Sequence, residues 1–277
     1  MKLPVFHVDA FSDRPFRGNP ASVVLLERWL PDDVMQAIAA EHKLSETACV
    51  IAEPGQLRLR WFTPRVEVPI CGHATLATAY VLRSIGKAPS AEMAFQTQSG
   101  ALTVSRKGDI FTLNFPASPC ARDDTSKQVL STLLGTPISE VHVSQDRYLC
   151  LLQSPENVRS ARPNFQAMAD LPLPGVIITA QGGAPYDFTS RSFAPVKGVP
   201  EDPVTGAAHC VLAPFWAARR GRNSLAAFQA SERGGQVECV VDGDRVHMSG
   251  RATVYMEGQL VIDEAALAGA GTGNARP

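Results

Sequence analysis

Four side chains in this chain could do chemistry together: Glu46, Cys71, His73 and Asp202. Glu46 lies where a helical segment gives way to the apolar run Thr47-Ala48-Cys49-Val50-Ile51. Burial there would lift its pKa into the working range of an acid/base. His73 follows Gly72 at the head of an alanine-rich helical stretch. The helix dipole at that end disfavours an imidazolium, so a neutral ring that relays a proton is expected, against the alternative of a simply packed histidine. Cys71 is either a thiol base, since helix N-termini lower thiol pKa, or a small buried apolar residue. Asp202 sits in Glu201-Asp202-Pro203-Val204-Thr205-Gly206, ahead of a second helical stretch. It either caps that helix or binds an amine or hydroxyl of a ligand. Gly72 and Gly206 open the two helices. First-turn N–H groups lack intrahelical partners and glycine allows close approach, so each start is a receptor for a carboxylate.

A repeat in the chain accounts for how these groups meet. Arg60-Trp61-Phe62-Thr63-Pro64 through Val68-Pro69 recurs as Arg191-Ser192-Phe193-Ala194-Pro195 through Val199-Pro200, at an offset of 131. At that offset Cys71 falls opposite Asp202. Phe95-Gln96 is echoed by Phe228-Gln229, Gly108-Asp109 by Gly243-Asp244, and His7-Val8 by His142-Val143. A period this long indicates two units of similar fold rather than a solenoid. Such units pack about a pseudo-twofold axis, which brings both helix starts to one cleft.

Each unit reads as strands, one long apolar helix and more strands. Strands are expected at Pro4–Val8, Ala21–Leu26, after Glu46, at Leu57–Phe62, Met93–Val104 and Ile110–Phe115. A helix opens at Pro31-Asp32-Asp33 and ends near His42, and another runs from Gly72 to Gly86. Residues 116–125 read as a linker. The second unit is expected to place strands near Val141–Leu152, Val176–Thr179, Phe188–Phe193, Gln236–Val241, Arg245–Ser249 and Ala252–Glu257. Its helical stretches are Ser154–Leu171 and Gly206–Arg220. A helix apolar all round must be wrapped. The fold class is therefore α/β (α+β): two pseudo-symmetric halves, each a barrel-like, mostly antiparallel sheet around a central helix. The first half comprises residues 1–117 with 259–277, and the second 118–258. Residues 265–277, rich in Ala and Gly, are expected to fray.

Composition narrows the function. An apolar share of 45% supports full cores, and a net charge of −1 without a basic stripe argues against a nucleic-acid partner. The six scattered cysteines form no CxxC pair, and neither a signal-peptide core nor a membrane-length apolar run is present, so a cytoplasmic location off the membrane is expected. No HExxH or Cys/His ligand spacing, strand-following GxGxxG, Walker loop or Gly-x-Ser-x-Gly elbow occurs. No metal and no cofactor are expected. Proton movement on a small carboxylic acid by side chains alone remains.

The chain resembles the PhzF family, named for phenazine biosynthesis, which has the diaminopimelate-epimerase-like fold. The matching stretches are Gly18-Asn19-Pro20-Ala21, Leu44-Ser45-Glu46-Thr47, Arg60-Trp61-Phe62-Thr63-Pro64, Cys71-Gly72-His73-Ala74-Thr75 and Glu201-Asp202-Pro203-Val204-Thr205-Gly206. The resemblance implies an active site between two α/β halves, a homodimer and no cofactor. It implies Glu46 as general acid/base with His73 and Asp202 beside it, and a substrate held by Asn19, Ser45, Gly72, Gly206 and Ala207. Many relatives carry serine where this chain has Ala207, and the related epimerases oppose two cysteines. The resemblance thus implies an isomerase like that for trans-2,3-dihydro-3-hydroxyanthranilate. A racemase using Cys71 with a carboxylate, and a non-catalytic binding protein, are the alternatives.

Overall fold

The structure, a computed structural model, describes residues 1–53, 55–88 and 90–263. The expectation of fraying at 265–277 lies outside the described residues. In chain order the first elements are β1 (Lys2–Ala10), β2 (Asn19–Leu26), α1 (Asp32–His42), β3 (Glu46–Glu53), β4 (Gln56–Phe62), β5 (Glu67–Val68), α2 (Gly72–Ser84), β6 (Glu92–Thr97), β7 (Gly100–Lys107) and β8 (Ile110–Pro116). There follow β9 (Ala121–Arg122), α3 (Lys127–Leu134), β10 (Glu140–Val143), β11 (Arg147–Leu151), α4 (Pro155–Ser160), α5 (Phe165–Met168), β12 (Gly175–Gln181), β13 (Phe188–Ala194), β14 (Val199–Asp202), α6 (Gly206–Arg220), β15 (Ser224–Gln229), β16 (Gly235–Asp242), β17 (Arg245–Gly250) and β18 (Ala252–Val261).

One set of strands pairs in the order β18-β1-β2-β3-β4-β6-β7-β8, the other in the order β9-β10-β11-β12-β13-β15-β16-β17. Pairing is antiparallel except at β2–β3 and β4–β6, and at the matching β11–β12 and β13–β15. Parallel neighbours require a crossover. In each set one crossover carries a central helix, α2 or α6, and the other carries outer helices, α1 or α4 with α5.

Alternation along the strands sorts side chains between two layers. Phe6, Val8, Ala48, Val50, Leu59 and Trp61 face α2 in a core shared with α6. Val5, Val24, Cys49 and Ile51 face outward and pack under Val34, Met35 and Ile38 of α1. Leu76, Ala77 and Leu82 of α2 are fully buried; burying a leucine side chain contributes about 1.5–3 kcal/mol. In the second set, Leu130 and Leu134 of α3 and Val158 and Met168 of α4 and α5 cover Val141, Cys150 and Ile178.

The two sets join along β8 and β17, which pair antiparallel with Leu113 opposite Met248. An offset of 135, the one relating Gly108-Asp109 to Gly243-Asp244, maps Leu113 onto Met248 itself. The same mapping exchanges the flanking pairs Thr112–Ser249 and Asn114–His247. The pseudo-twofold axis therefore passes through the Leu113–Met248 pair. Hydroxyls of Thr112 and Ser249 lie 2.8 Å apart on this seam.

Several expectations are corrected. The stretch Ser154–Leu171 is two short helices, because Pro163 cannot continue the first. The linker 116–125 contains β9, and α3 follows it. Met93–Val104 divides into β6 and β7 at the turn before Gly100. β18 pairs with β1 along its whole length, from Ala252 rather than from 259. The chain crosses back at Arg251, and each set is closed by a strand that follows the last strand of the other set in sequence. No described helix is long and apolar enough to cross a membrane.

The offset of 131 does not hold up to the central helices. Arg60 grips Glu67 through Nε and Nη2 at 2.7 and 2.6 Å, and Arg191 grips Glu201 in the same bidentate way at 2.7 and 2.8 Å. The first pair spans seven residues and the second ten. Three extra residues in the second loop move the offset to 134, the offset at which α2 and α6 begin. Cys71 is thus the counterpart of Thr205, and Asp202 that of Val68.

Candidate active site

Glu46 begins β3 on the face that Ala48 and Val50 share, so its carboxyl points toward the start of α2. Its neighbour Thr47 points the other way, to His42 Nδ1 at 3.0 Å. His73, in the first turn of α2, is buried, and its Nε2 lies 3.2 Å from Glu46 Oε2. That approach lacks hydrogen-bond alignment, so Nε2 has no formal partner. A group placed beside the two could be reached by both.

The other face of His73 is fixed. Asn19 Nδ2 donates to Asp202 Oδ1 at 2.6 Å and to Val204 O at 2.9 Å, and stands 3.2 Å from His73 Nδ1. Two acceptors on that side require the NH2 end of the amide there. Beside an NH2 group the unprotonated form of Nδ1 is favoured. The imidazole proton therefore sits on Nε2, toward Glu46. Cys71 Sγ stands 3.5 Å from Nδ1 on the same side.

Burial sets the charge states. It pushes Glu46 up to about 8, helped by the nearby Asp202 carboxylate and opposed by a hydrogen bond from Cys71. It pushes Asp202 up to about 6, held back by hydrogen bonds from Thr205 and Asn19 and by the Arg147 charge. His73 is driven down to about 3 by burial, in line with the expected neutral ring. For Cys71, burial and then the Glu46 charge raise the thiol well above its usual range, and the Ala74 N–H opposes them only in part. The lowering expected from the helix start is present but loses to desolvation. At neutral pH the cluster thus holds a mostly protonated Glu46, an ionised Asp202, a neutral imidazole and a neutral thiol. Two acids with separated pKa values can divide donor and acceptor roles.

The helix starts also converge. A Cβ added at Gly206 would stand 3.8 Å from Gly72 Cα, and one at Gly72 would stand 3.4 Å from the Phe115 ring. Neither Cys71 nor Thr205 caps its helix with a side chain, whereas Ser154 caps α4. Apart from the Ala74 N–H, which meets the Cys71 thiol, the first turns of α2 and α6 carry no side-chain cap, and two positive dipole ends favour an anion.

Of the remaining sequence-derived candidates, Ser45 is half-buried beside Glu46 and Ala207 is exposed in the first turn of α6. Asn19 differs from expectation in how it is used: its NH2 is engaged within the protein, and Oδ1 is the atom left without a partner. Asp202 is not the cap of α6; Thr205 holds that position. Glu46, Cys71 and His73 donor atoms lie within 4.8 Å of one another, near enough to share a small cation. The firmly held thiol proton disfavours such use, since a thiolate is the ligand form. Sequence reasoning missed Gln229, whose side chain bonds to Asp202 and Thr205. The Phe-Gln echo is one place out of strand register, so Thr97 and not Gln96 is the counterpart of Gln229.

The model for the phenazine biosynthesis-like protein family, PhzC-PhzF, matches residues 8–258. An uncharacterized isomerase of Pseudomonas aeruginosa is 49% identical over 260 residues, covering 94% of this chain and 99% of the relative. The crystal structure of a PhzF-family phenazine biosynthesis protein from Enterococcus faecalis superposes with a TM-score of 0.91 at 41% identity, covering 95% of this chain and all of the other. A hydroxyproline epimerase from Agrobacterium vitis, with bound trans-4-hydroxy-L-proline, shares the fold at a TM-score of 0.60 and 12% identity, covering 94% of this chain and 91% of that one. The chain belongs to the PhzC-PhzF, phenazine biosynthesis-like, family.

Proposed function

We propose that this PhzC-PhzF family member is a cofactor-independent isomerase that moves a proton between carbons of a small carboxylic acid. The observation that carries the reading is a half-buried acid with a raised pKa, Glu46, facing Nε2 of His73 beside two uncapped helix starts. The substrate carboxylate docks on the amides near Gly72 and Gly206, with Ala207 leaving room at the mouth. Glu46, as carboxylate, takes a proton from a carbon made acidic by conjugation or by that carboxylate. It then returns the proton elsewhere on the same molecule. His73 Nε2–H and the helix amides hold the negative charge that develops, and Asp202 orients a hydroxyl or amine. A placed proton-transfer group contributes about 10²- to 10⁴-fold, and the rest comes from orientation and preorganised donors.

The names of the relatives support an isomerase. The family resemblance suggests trans-2,3-dihydro-3-hydroxyanthranilate as the first acid to try. The same proposal includes a homodimer, a cytoplasmic setting and the division into two repeated units. The experiment is incubation with that acid in heavy water, with product analysis. Deuterium on carbon and a shifted double bond in wild type, absent in Glu46→Gln, are expected. Binding without carbon-bound deuterium would favour a non-catalytic binding protein instead.

A further inference from the structure

We propose that Gln229 is the positioning residue of this site, holding Asp202 and the start of α6 in the geometry that proton transfer requires. Gln229 ends β15 and is wholly buried. Its Nε2 donates to Asp202 O at 2.6 Å and to Thr205 Oγ1 at 3.2 Å, and its Oε1 accepts from Thr205 N at 2.9 Å. Both hydrogens and the carbonyl of one amide are committed to a single four-residue loop. Asn19 takes the same loop from the opposite side, at Asp202 Oδ1 and Val204 O.

Two observations separate this from ordinary packing. Strand register makes Thr97 of β6 the counterpart of Gln229, as Thr97 lies opposite Gly100 and Gln229 opposite Gly235, and Thr97 Oγ1 donates only within its own turn, to Gly100 O at 2.7 Å. A requirement of the shared fold alone would put the same bridge in both halves. Only the second half has the bridging amide, bonded to the loop that carries a carboxylate, Asp202, where the first half has Val68. The second observation is the direction of the chain of contacts. Gln229 fixes Asp202, Asp202 accepts from Asn19, and the Asn19 NH2 group biases which nitrogen of His73 bears the proton. Loosening the loop therefore changes the imidazole that faces Glu46, although Gln229 itself touches no substrate.

The inference rests on the proposed function only in its kinetic arm. Aspartate 13C and histidine 15N labels in wild type, Gln229→Met and Thr97→Val report the Asp202 titration and the His73 tautomer without any substrate. Asp202→Asn and His73→Ala assign the two signals. In wild type Asp202 is expected to titrate near 6, with His73 protonated at Nε2. In Gln229→Met the Asp202 titration should fall toward the ordinary aspartate range and His73 should become a mixture of tautomers, while Thr97→Val matches wild type. With trans-2,3-dihydro-3-hydroxyanthranilate, Gln229→Met should lose about tenfold or more in kcat with KM within about threefold. Should Gln229→Met fail to fold, Gln229→Glu keeps length and acceptor while losing the NH2 donor, and is read the same way. A lower melting temperature with both NMR signals unmoved would show a structural role and overturn the proposal. If wild type does not turn over the acid, the functional reading fails while the NMR arm still decides the role of Gln229.

Discussion

At the start of α2 stand Cys71, Gly72 and His73, with Glu46 across from them. At the start of α6 the same positions hold Thr205, Gly206 and Ala207, and strand register puts Gly175 where Glu46 would be. Both starts keep the glycine, the bare first turn and the bidentate Arg–Glu clamp that leads into it. On the proposed reading those features receive a carboxylate and are used twice. The imidazole and the acid occur once. A Cβ on Gly175 would meet Arg147 Cβ at 3.0 Å, so the mirror place for an acid is tight. In exchange the second half contributes Asp202, opposite an apolar Val68. The pocket is symmetric in backbone and polarised in side chains, so a carboxylate bound on the axis meets one proton donor on one side. An epimerase that inverts a carbon needs bases on both faces. A proton shift along one face needs only the arrangement found here.

Replacing the acid should have the largest effect. Glu46→Gln is expected to lower turnover by about 10³-fold or more while leaving binding nearly intact. It should also stabilise the protein in one pH window. Between the ordinary glutamate value of 4.5 and about 8, folded Glu46 keeps a proton that the unfolded chain has released, so wild-type stability falls as pH rises through that window. The variant should gain on the order of 1–3 kcal/mol at pH 8 and nothing at pH 4, measured by denaturant melts. For wild type, kcat/KM should rise with pH and level off near 8, because the first step needs the carboxylate.

Converting His73 to its mirror residue comes next. His73→Ala should cost about 10²-fold in kcat. Folded His73 resists protonation down to about 3. Wild type therefore loses stability as pH falls below about 6.5, where the unfolded chain takes up a proton, and the variant should lose that acid sensitivity. Asp202→Asn should cost about tenfold and move the rising limb of the rate profile to lower pH, since the charge that helps Glu46 hold its proton is gone. Cys71→Thr, which copies Thr205, should change turnover by less than about threefold. A loss near that of Glu46→Gln would instead make the thiol a base and revive the racemase reading.

Much of this was legible from local pattern. The bounds of α6 follow from Gly206 and Gly221, and α2 from Gly72 and its alanines, because helix starts, stops and apolar content are short-range properties. The residue types of the site were legible for the same reason. What escaped depended on distant partners. β18 looks like a strand of the second unit until its pairing with β1 is known. The Cys71–Asp202 alignment fails because three residues are inserted after Pro195, where turn residues tolerate length changes and the flanking prolines and valines match at either offset. Asn19 and Gln229 are polar residues at strand ends, and nothing in their spacing announces that both are buried against one loop.

The exchange of closing strands has a consequence for inheritance. A chain cut at residue 117 would leave the leading piece with β1 uncovered along the side that β18 occupies, while the trailing piece would carry that ten-residue strand with nothing to lay it on. The repeated plan is legible in the sequence, but its two halves depend on each other for their closing strands. Any recombination that swaps one unit for a homologue must therefore carry the borrowed strand with it.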